Sequence, residues 1–143
     1  MAKITRTITI NALADKVYGF INYPGNLPEV WPSMIEVKDI KPSSAGGYNF
    51  SWVYKMAGVR FEGASDTTEL ITNQRIVTKS TKGINSTFVW QFEPKDGGTK
   101  LTLEVEYVVP IPLLGKLAES FIIKQNEHEA DAMLANLKAR MET

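Results

Sequence analysis

The chain has 143 residues, with 16 basic and 16 acidic side chains, one histidine and no cysteine. This balance gives no general attraction to nucleic acid, and the lack of cysteine excludes disulfides and thiolate ligands. One histidine is too few for a histidine-based metal site, and we expect neither a metal nor another cofactor. No apolar run approaches the roughly 18 residues of a membrane-spanning helix. The N-terminus lacks the apolar core of a signal peptide, so we expect a cytoplasmic protein.

Residues 3–32 predict one strand followed by a helical corner. Residues 3–10 alternate with β-branched side chains, which is typical of a half-buried strand. Leu13, Val17 and Ile21 then recur at helical spacing and predict a short helix. The stretch 23–28 contains two prolines and ends that helix, so a second helix before Pro32 has room for only one or two turns.

From Met34 to Tyr107 the sequence predicts six consecutive strands joined by short turns. Short turns force neighbouring strands to be antiparallel. Alternation places a row of aromatic and small polar side chains on one face of the sheet. These are Tyr48, Phe50, Trp52, Tyr54, Phe61, Ser65, Thr67, Thr78, Phe88, Trp90 and Tyr107.

The C-terminal segment predicts a helix from Leu113 to Met141, since Pro112 suits a helix start and no proline follows. A helix of about 28 residues would be roughly 42 Å long, which is enough to cross the sheet. Phe121, Gln125 and His128 fall on one of its faces, and we expect this face to meet the sheet. The glutamine and the histidine could then hydrogen-bond a ligand.

Four local motifs, taken in their order along the chain, indicate a family. They are FINYP at 20–24 with LPEVWP at 27–32, FVWQFEP at 88–94 followed by GGTKL at 97–101, VEY at 105–107 and NLK at 136–138. In this order the chain resembles the START-like (helix-grip) superfamily, in its polyketide cyclase/dehydrase-like branch, near the group of the G-type carbon monoxide dehydrogenase subunit.

The resemblance implies an α+β helix-grip fold in a single domain spanning 1–143. A curved seven-stranded antiparallel sheet would wrap around a long C-terminal helix, with two short helices after the first strand. It also implies a cavity for a lipid-like, polyketide-like or isoprenoid-like ligand. Small polar residues between large aromatic ones fit such a pocket. The alternative, a solid aromatic core, stays open, because aromatic residues also dominate ordinary cores.

Three functions follow from this interpretation. In the first, the protein binds a small hydrophobic ligand with the eleven sheet residues above and with Phe121, Gln125 and His128. In the second, it is a cyclase or dehydratase, although no motif assigns a catalytic residue. In the third, it is an accessory protein that contacts a membrane or a protein through an apolar loop. The loop residues are Val109, Ile111, Leu113 and Leu114.

Overall fold

The computed structural model describes residues 1–110 and 118–143, which form one sheet and the helices around it. The helices are α1 (Ala14–Asn22), a 3₁₀ helix (Pro24–Glu29) and α2 (Glu119–Met141). The strands are β1 (Ala2–Ile10), β2 (Met34–Pro42), β3 (Tyr48–Met56), β4 (Val59–Ile71), β5 (Arg75–Lys82), β6 (Ser86–Lys95) and β7 (Gly98–Tyr107). The predicted order of elements is therefore confirmed.

The seven strands form a single antiparallel sheet in the order β1-β7-β6-β5-β4-β3-β2. Strands β2 to β7 follow one another as a meander, and β1 joins the far edge by pairing Ile4 with Val105 of β7. The register shifts between Lys38 and Lys41 in β2, and between Thr67 and Glu69 in β4. Such bulges bend a strand and increase its twist, which helps the sheet to curve.

The helical corner closes one end of the sheet. Val17 and Ile21 of α1 are buried, and the Tyr18 ring meets Phe92 of β6 edge-on at a centroid distance of 5.6 Å. The prolines predicted to end the helix do so, and the chain continues into the 3₁₀ helix. Proline fits there because its fixed φ matches a tight helical turn.

Helix α2 lies in the concavity of the sheet, as predicted, and buries one stripe of side chains. These are Ile122, Ala130, Met133, Leu134, Leu137 and Met141. Its C-terminal half is anchored by hydrogen bonds from Asn136 Nδ2 to the Val30 carbonyl (3.0 Å) and from Lys138 Nζ to the Thr9 carbonyl (2.8 Å). The predicted start at Leu113 lies outside the described residues.

None of the helices in the described ranges combines the length and the apolar composition needed to cross a bilayer.

Candidate ligand-binding pocket

A cavity lies between the concave face of the sheet and α2. It encloses about 110 Å³ of space that the centre of a water-sized sphere can reach. A single water needs only about 10–15 Å³ by this measure. The aromatic side chains therefore leave a hollow, so the solid core considered from the sequence is wrong.

Ten of the predicted ligand-binding residues line this cavity. They are Tyr48, Phe50, Trp52, Tyr54, Ser65, Thr67, Thr78, Phe88, Trp90 and Tyr107. All ten come from the sheet, where strict alternation determines which face a side chain occupies. Their positions agree with the prediction, and their role in binding a ligand stays a prediction.

The predicted helix face is wrong. Phe121 is 62% exposed, Gln125 and His128 are also exposed, and none of the three lines the cavity. The face that meets the sheet is displaced by one residue and carries Ile122 and Met133 instead. Apolar side chains occur on both of these helical faces, so their spacing did not identify the buried one.

Two further predictions fail for more local reasons. Phe61 is buried on the expected face but does not reach the cavity, because alternation assigns a face and not how far a cavity extends along a strand. Val109 is only 6% exposed and belongs to the core, so it is not available for a membrane or protein contact. Ile111, Leu113 and Leu114, the other residues of that predicted contact, lie outside the described residues.

Four polar or amphipathic residues of the lining were not predicted: Asn22, Trp31, Asn126 and Glu129. Asn22 ends α1, and Trp31 follows the 3₁₀ helix, where no periodic pattern assigns a direction. Asn126 and Glu129 lie four and seven residues after Ile122, on the same helical face. The row formed by Ile122 and Met133 was therefore the signal that could have identified them.

Most polar groups in the sheet wall of the cavity are already paired. The Trp52 indole donates to Ser65 Oγ at 3.0 Å. Thr67 Oγ1 accepts from the Tyr48 backbone N–H at 3.1 Å and donates to the Tyr48 carbonyl at 2.9 Å. Paired groups cost little to bury, so this part of the wall behaves as an apolar surface.

On the helix side, Asn126 orients Tyr107. Asn126 Nδ2 donates to the Tyr107 hydroxyl oxygen at 3.0 Å. Burial is the main cause that raises the pKa of Tyr107, and the Asn126 hydrogen bond opposes it. Tyr107 therefore stays protonated, and its hydroxyl proton is available to a ligand.

One end of the cavity concentrates the remaining polar groups. Glu129 Oε1 accepts a hydrogen bond from the Ser33 backbone N–H at 2.5 Å, which connects α2 to the segment before β2. Burial, followed by the negative charge of Glu129, raises the pKa of Tyr54 well above its ordinary value of 10.0. The Tyr54 hydroxyl is therefore neutral at physiological pH.

Two buried polar atoms of the lining have no hydrogen-bond partner among the described residues: Asn22 Oδ1 and Trp31 Nε1. The Trp31 indole lies beside Tyr54, but the two groups do not meet hydrogen-bond geometry. An unpaired buried polar group costs about 1–3 kcal/mol, so a ligand that pairs with one recovers that energy. One acceptor and one donor are thus available at the cavity wall.

In the described part of the chain, no three acidic or histidine side chains lie close enough together to hold a metal ion. The chemistry that the cavity offers is therefore apolar contact and hydrogen bonding, together with proton transfer by tyrosine or glutamate.

Comparison with known proteins gives a family and a fold. A family model described as polyketide cyclase/dehydrase and lipid transport matches residues 1–142. No sequence among the curated proteins matches the chain significantly. What stays a prediction is the closeness to the group of the G-type carbon monoxide dehydrogenase subunit.

Three solved structures represent the structural relatives. A protein from Thermus thermophilus is 22% identical, with a TM-score of 0.75 and coverage of 97% of this chain and 96% of its own. A START superfamily protein from Mycobacterium smegmatis is 15% identical, with a TM-score of 0.75 and coverage of 99% and 98%. The Zhui aromatase/cyclase from Streptomyces sp. R1128 is 16% identical, with a TM-score of 0.76 and coverage of 96% and 94%. These likenesses show the START-like helix-grip fold.

Proposed function

Since the chain belongs to the polyketide cyclase/dehydrase and lipid transport family, we propose that it binds a small hydrophobic or amphipathic molecule in the cavity between its sheet and α2. A lipid-like, polyketide-like or isoprenoid-like molecule would fit this description. The family match over residues 1–142 supports a single ligand-binding domain that spans the chain.

The hollow behind α2 is the observation that carries this proposal. Its wall is mostly aromatic and aliphatic, and the polar groups of the sheet wall are largely paired with each other. A guest molecule would therefore meet apolar surface over most of its length. The unpaired Asn22 oxygen and Trp31 indole N–H would fix its orientation, as the few polar groups of a ligand pocket commonly do.

The first experiment is calorimetric titration with 1-octanol, a neutral amphiphile that can enter a small cavity. The wild type is expected to bind it, and Ala130→Trp is expected to abolish binding, because Ala130 lines the cavity. Ala135→Trp is the matched control, since Ala135 is exposed on the same helix. Equal binding by all three proteins would place the alcohol outside the cavity and would contradict the proposal.

A second candidate function is catalysis of a cyclisation or dehydration. It is favoured by the neutral hydroxyl of Tyr54, which is held beside Glu129 at an otherwise apolar wall. Tyr54 could donate a proton to a carbonyl oxygen while Glu129 accepts one, which is the pairing that general acid–base catalysis requires. The structural likeness to an aromatase/cyclase supports testing this chemistry.

The catalytic candidate is tested by product analysis with a linear poly-β-carbonyl chain. The wild type is expected to change the ratio of cyclised products relative to buffer, and Tyr54→Phe to return it to the buffer ratio. Tyr18→Phe is the control, because Tyr18 is buried against Phe92 and does not line the cavity. A wild-type ratio that Tyr54→Phe leaves unchanged would rule out this role for Tyr54.

A further inference from the structure

The cavity has an uneven charge. Glu129 is the single charged side chain among the described residues that line it, and none of those lining residues is a lysine, an arginine or a histidine. The chain as a whole is balanced, with 16 residues of each sign. A carboxylate without a cation in a largely apolar wall repels negative ligands and attracts positive ones.

The neighbouring acidic residues of α2 are paired on its other side, whereas Glu129 is not. Arg6 forms ion pairs with Glu127 (3.7 Å) and Asp131 (2.7 Å). Within the described ranges Glu129 makes no ion pair, and its hydrogen bond with Ser33 occupies only Oε1. The second carboxylate oxygen is therefore available for a ligand.

Aromatic rings surround this end of the cavity. The Trp31 ring lies 5.3 Å from the Tyr54 ring and 5.3 Å from the Phe88 ring, measured between centroids, and all three line the cavity. Glu129 belongs to the same group, because it bonds Ser33 and acts electrostatically on Tyr54. Aromatic faces attract cations, and a carboxylate beside them adds a counter-ion.

We propose that the cavity selects an amphiphile with a cationic head, such as a protonated amine, and rejects carboxylates. The head binds between Glu129 and the rings of Trp31, Tyr54 and Phe88, and the apolar tail occupies the hollow. This inference rests on the proposed binding function, of which it defines the ligand class.

Three probes with the same eight-carbon tail test the head group: octylamine, 1-octanol and octanoate, titrated calorimetrically at neutral pH. Octylamine is expected to bind about tenfold more tightly than 1-octanol, since a hydrogen bond to a charged group contributes about 1.5–3 kcal/mol and 1.4 kcal/mol is tenfold. Octanoate is expected to bind about tenfold more weakly than 1-octanol or not at all, because its charge has the same sign as that of Glu129.

Glu129→Gln removes the charge and keeps an amide oxygen that can accept the Ser33 hydrogen bond. It is expected to bind octylamine and 1-octanol equally, and its unchanged affinity for 1-octanol shows that the pocket is intact. Glu127→Gln is the matched control, because it removes an equal charge from the other side of the same helix. It is expected to keep the wild-type order of affinities.

The outcomes separate this inference from the function on which it rests. If none of the three probes binds, the binding function itself is wrong. If 1-octanol binds and octylamine binds no more tightly, binding stands and the cationic selectivity is wrong. An octylamine preference that Glu129→Gln retains would also overturn the inference.

Discussion

Replacing Ala130 by leucine tests whether the space behind α2 is hollow. Ala130 lines the cavity and is 6% exposed, so the added carbons enter the space beside it. Burying three more carbons at about 0.8 kcal/mol each contributes about 2.4 kcal/mol. The leucine side chain loses about 0.5–1 kcal/mol of rotamer entropy. We therefore expect Ala130→Leu to stabilise the protein by about 1.5 kcal/mol.

The measurement is urea unfolding followed by tryptophan fluorescence, with Ala135→Leu as control. Ala135 is exposed, so the same chemical change there is expected to alter the free energy of unfolding by less than about 0.5 kcal/mol. Both variants carry the same small difference in helix propensity. If the space were filled, the extra carbons would cost about 1–3 kcal/mol. A destabilised Ala130→Leu beside a neutral Ala135→Leu would thus refute the hollow.

Three further predictions concern the wall and the titrating groups. Gly63→Ala places a Cβ in steric overlap with the Trp52 ring and the Lys82 carbonyl oxygen, so we expect destabilisation of about 1–3 kcal/mol in urea; a neutral effect would contradict this packing. Tyr54→Phe is expected to resist alkaline unfolding better than the wild type. The raised pKa of Tyr54 means that its neutral form stabilises the fold below pH 10.0, and this contribution is lost as the pH rises above that value. Thermal unfolding followed across this range tests it, and parallel curves for the two proteins would contradict it. The backbone N–H of Asn11 lowers the pKa of Glu142 from 4.5, so the wild type should be more stable than Glu142→Gln at neutral pH. That difference should vanish as the pH falls below 4.5, and a constant difference in thermal midpoint would show that Glu142 does not contribute in this way.

The sheet could be predicted closely because strands give a strong local signal. In β3, Phe50, Trp52 and Tyr54 alternate with polar residues, and each lines the cavity. The turn before β7 was similarly clear, since Gly97 has a φ of 81° and closes a tight hairpin. The pairing of β1 with β7 depends on contacts between residues about a hundred positions apart, which no local pattern encodes.

The helical part of the site could not be predicted as well. A difference of one residue rotates a helix by about 100°, which exchanges Gln125 and His128 for Asn126 and Glu129. Both faces carry apolar residues, so only the contact of α2 with the sheet decides between them. Trp31 was missed for a different reason: it lies in an irregular segment that tertiary contacts hold in place, among them the ring of Tyr54.

The most direct test of a ligand cavity uses the tryptophans, since all three line it. Their indole N–H signals can be followed in a two-dimensional nitrogen–proton NMR spectrum during titration with 1-octanol. We expect the signals of Trp31, Trp52 and Trp90 to shift together with one dissociation constant, while backbone signals near the exposed Phe121 stay in place. Stationary indole signals, or shifts confined to the outer face of α2, would contradict ligand binding in the cavity.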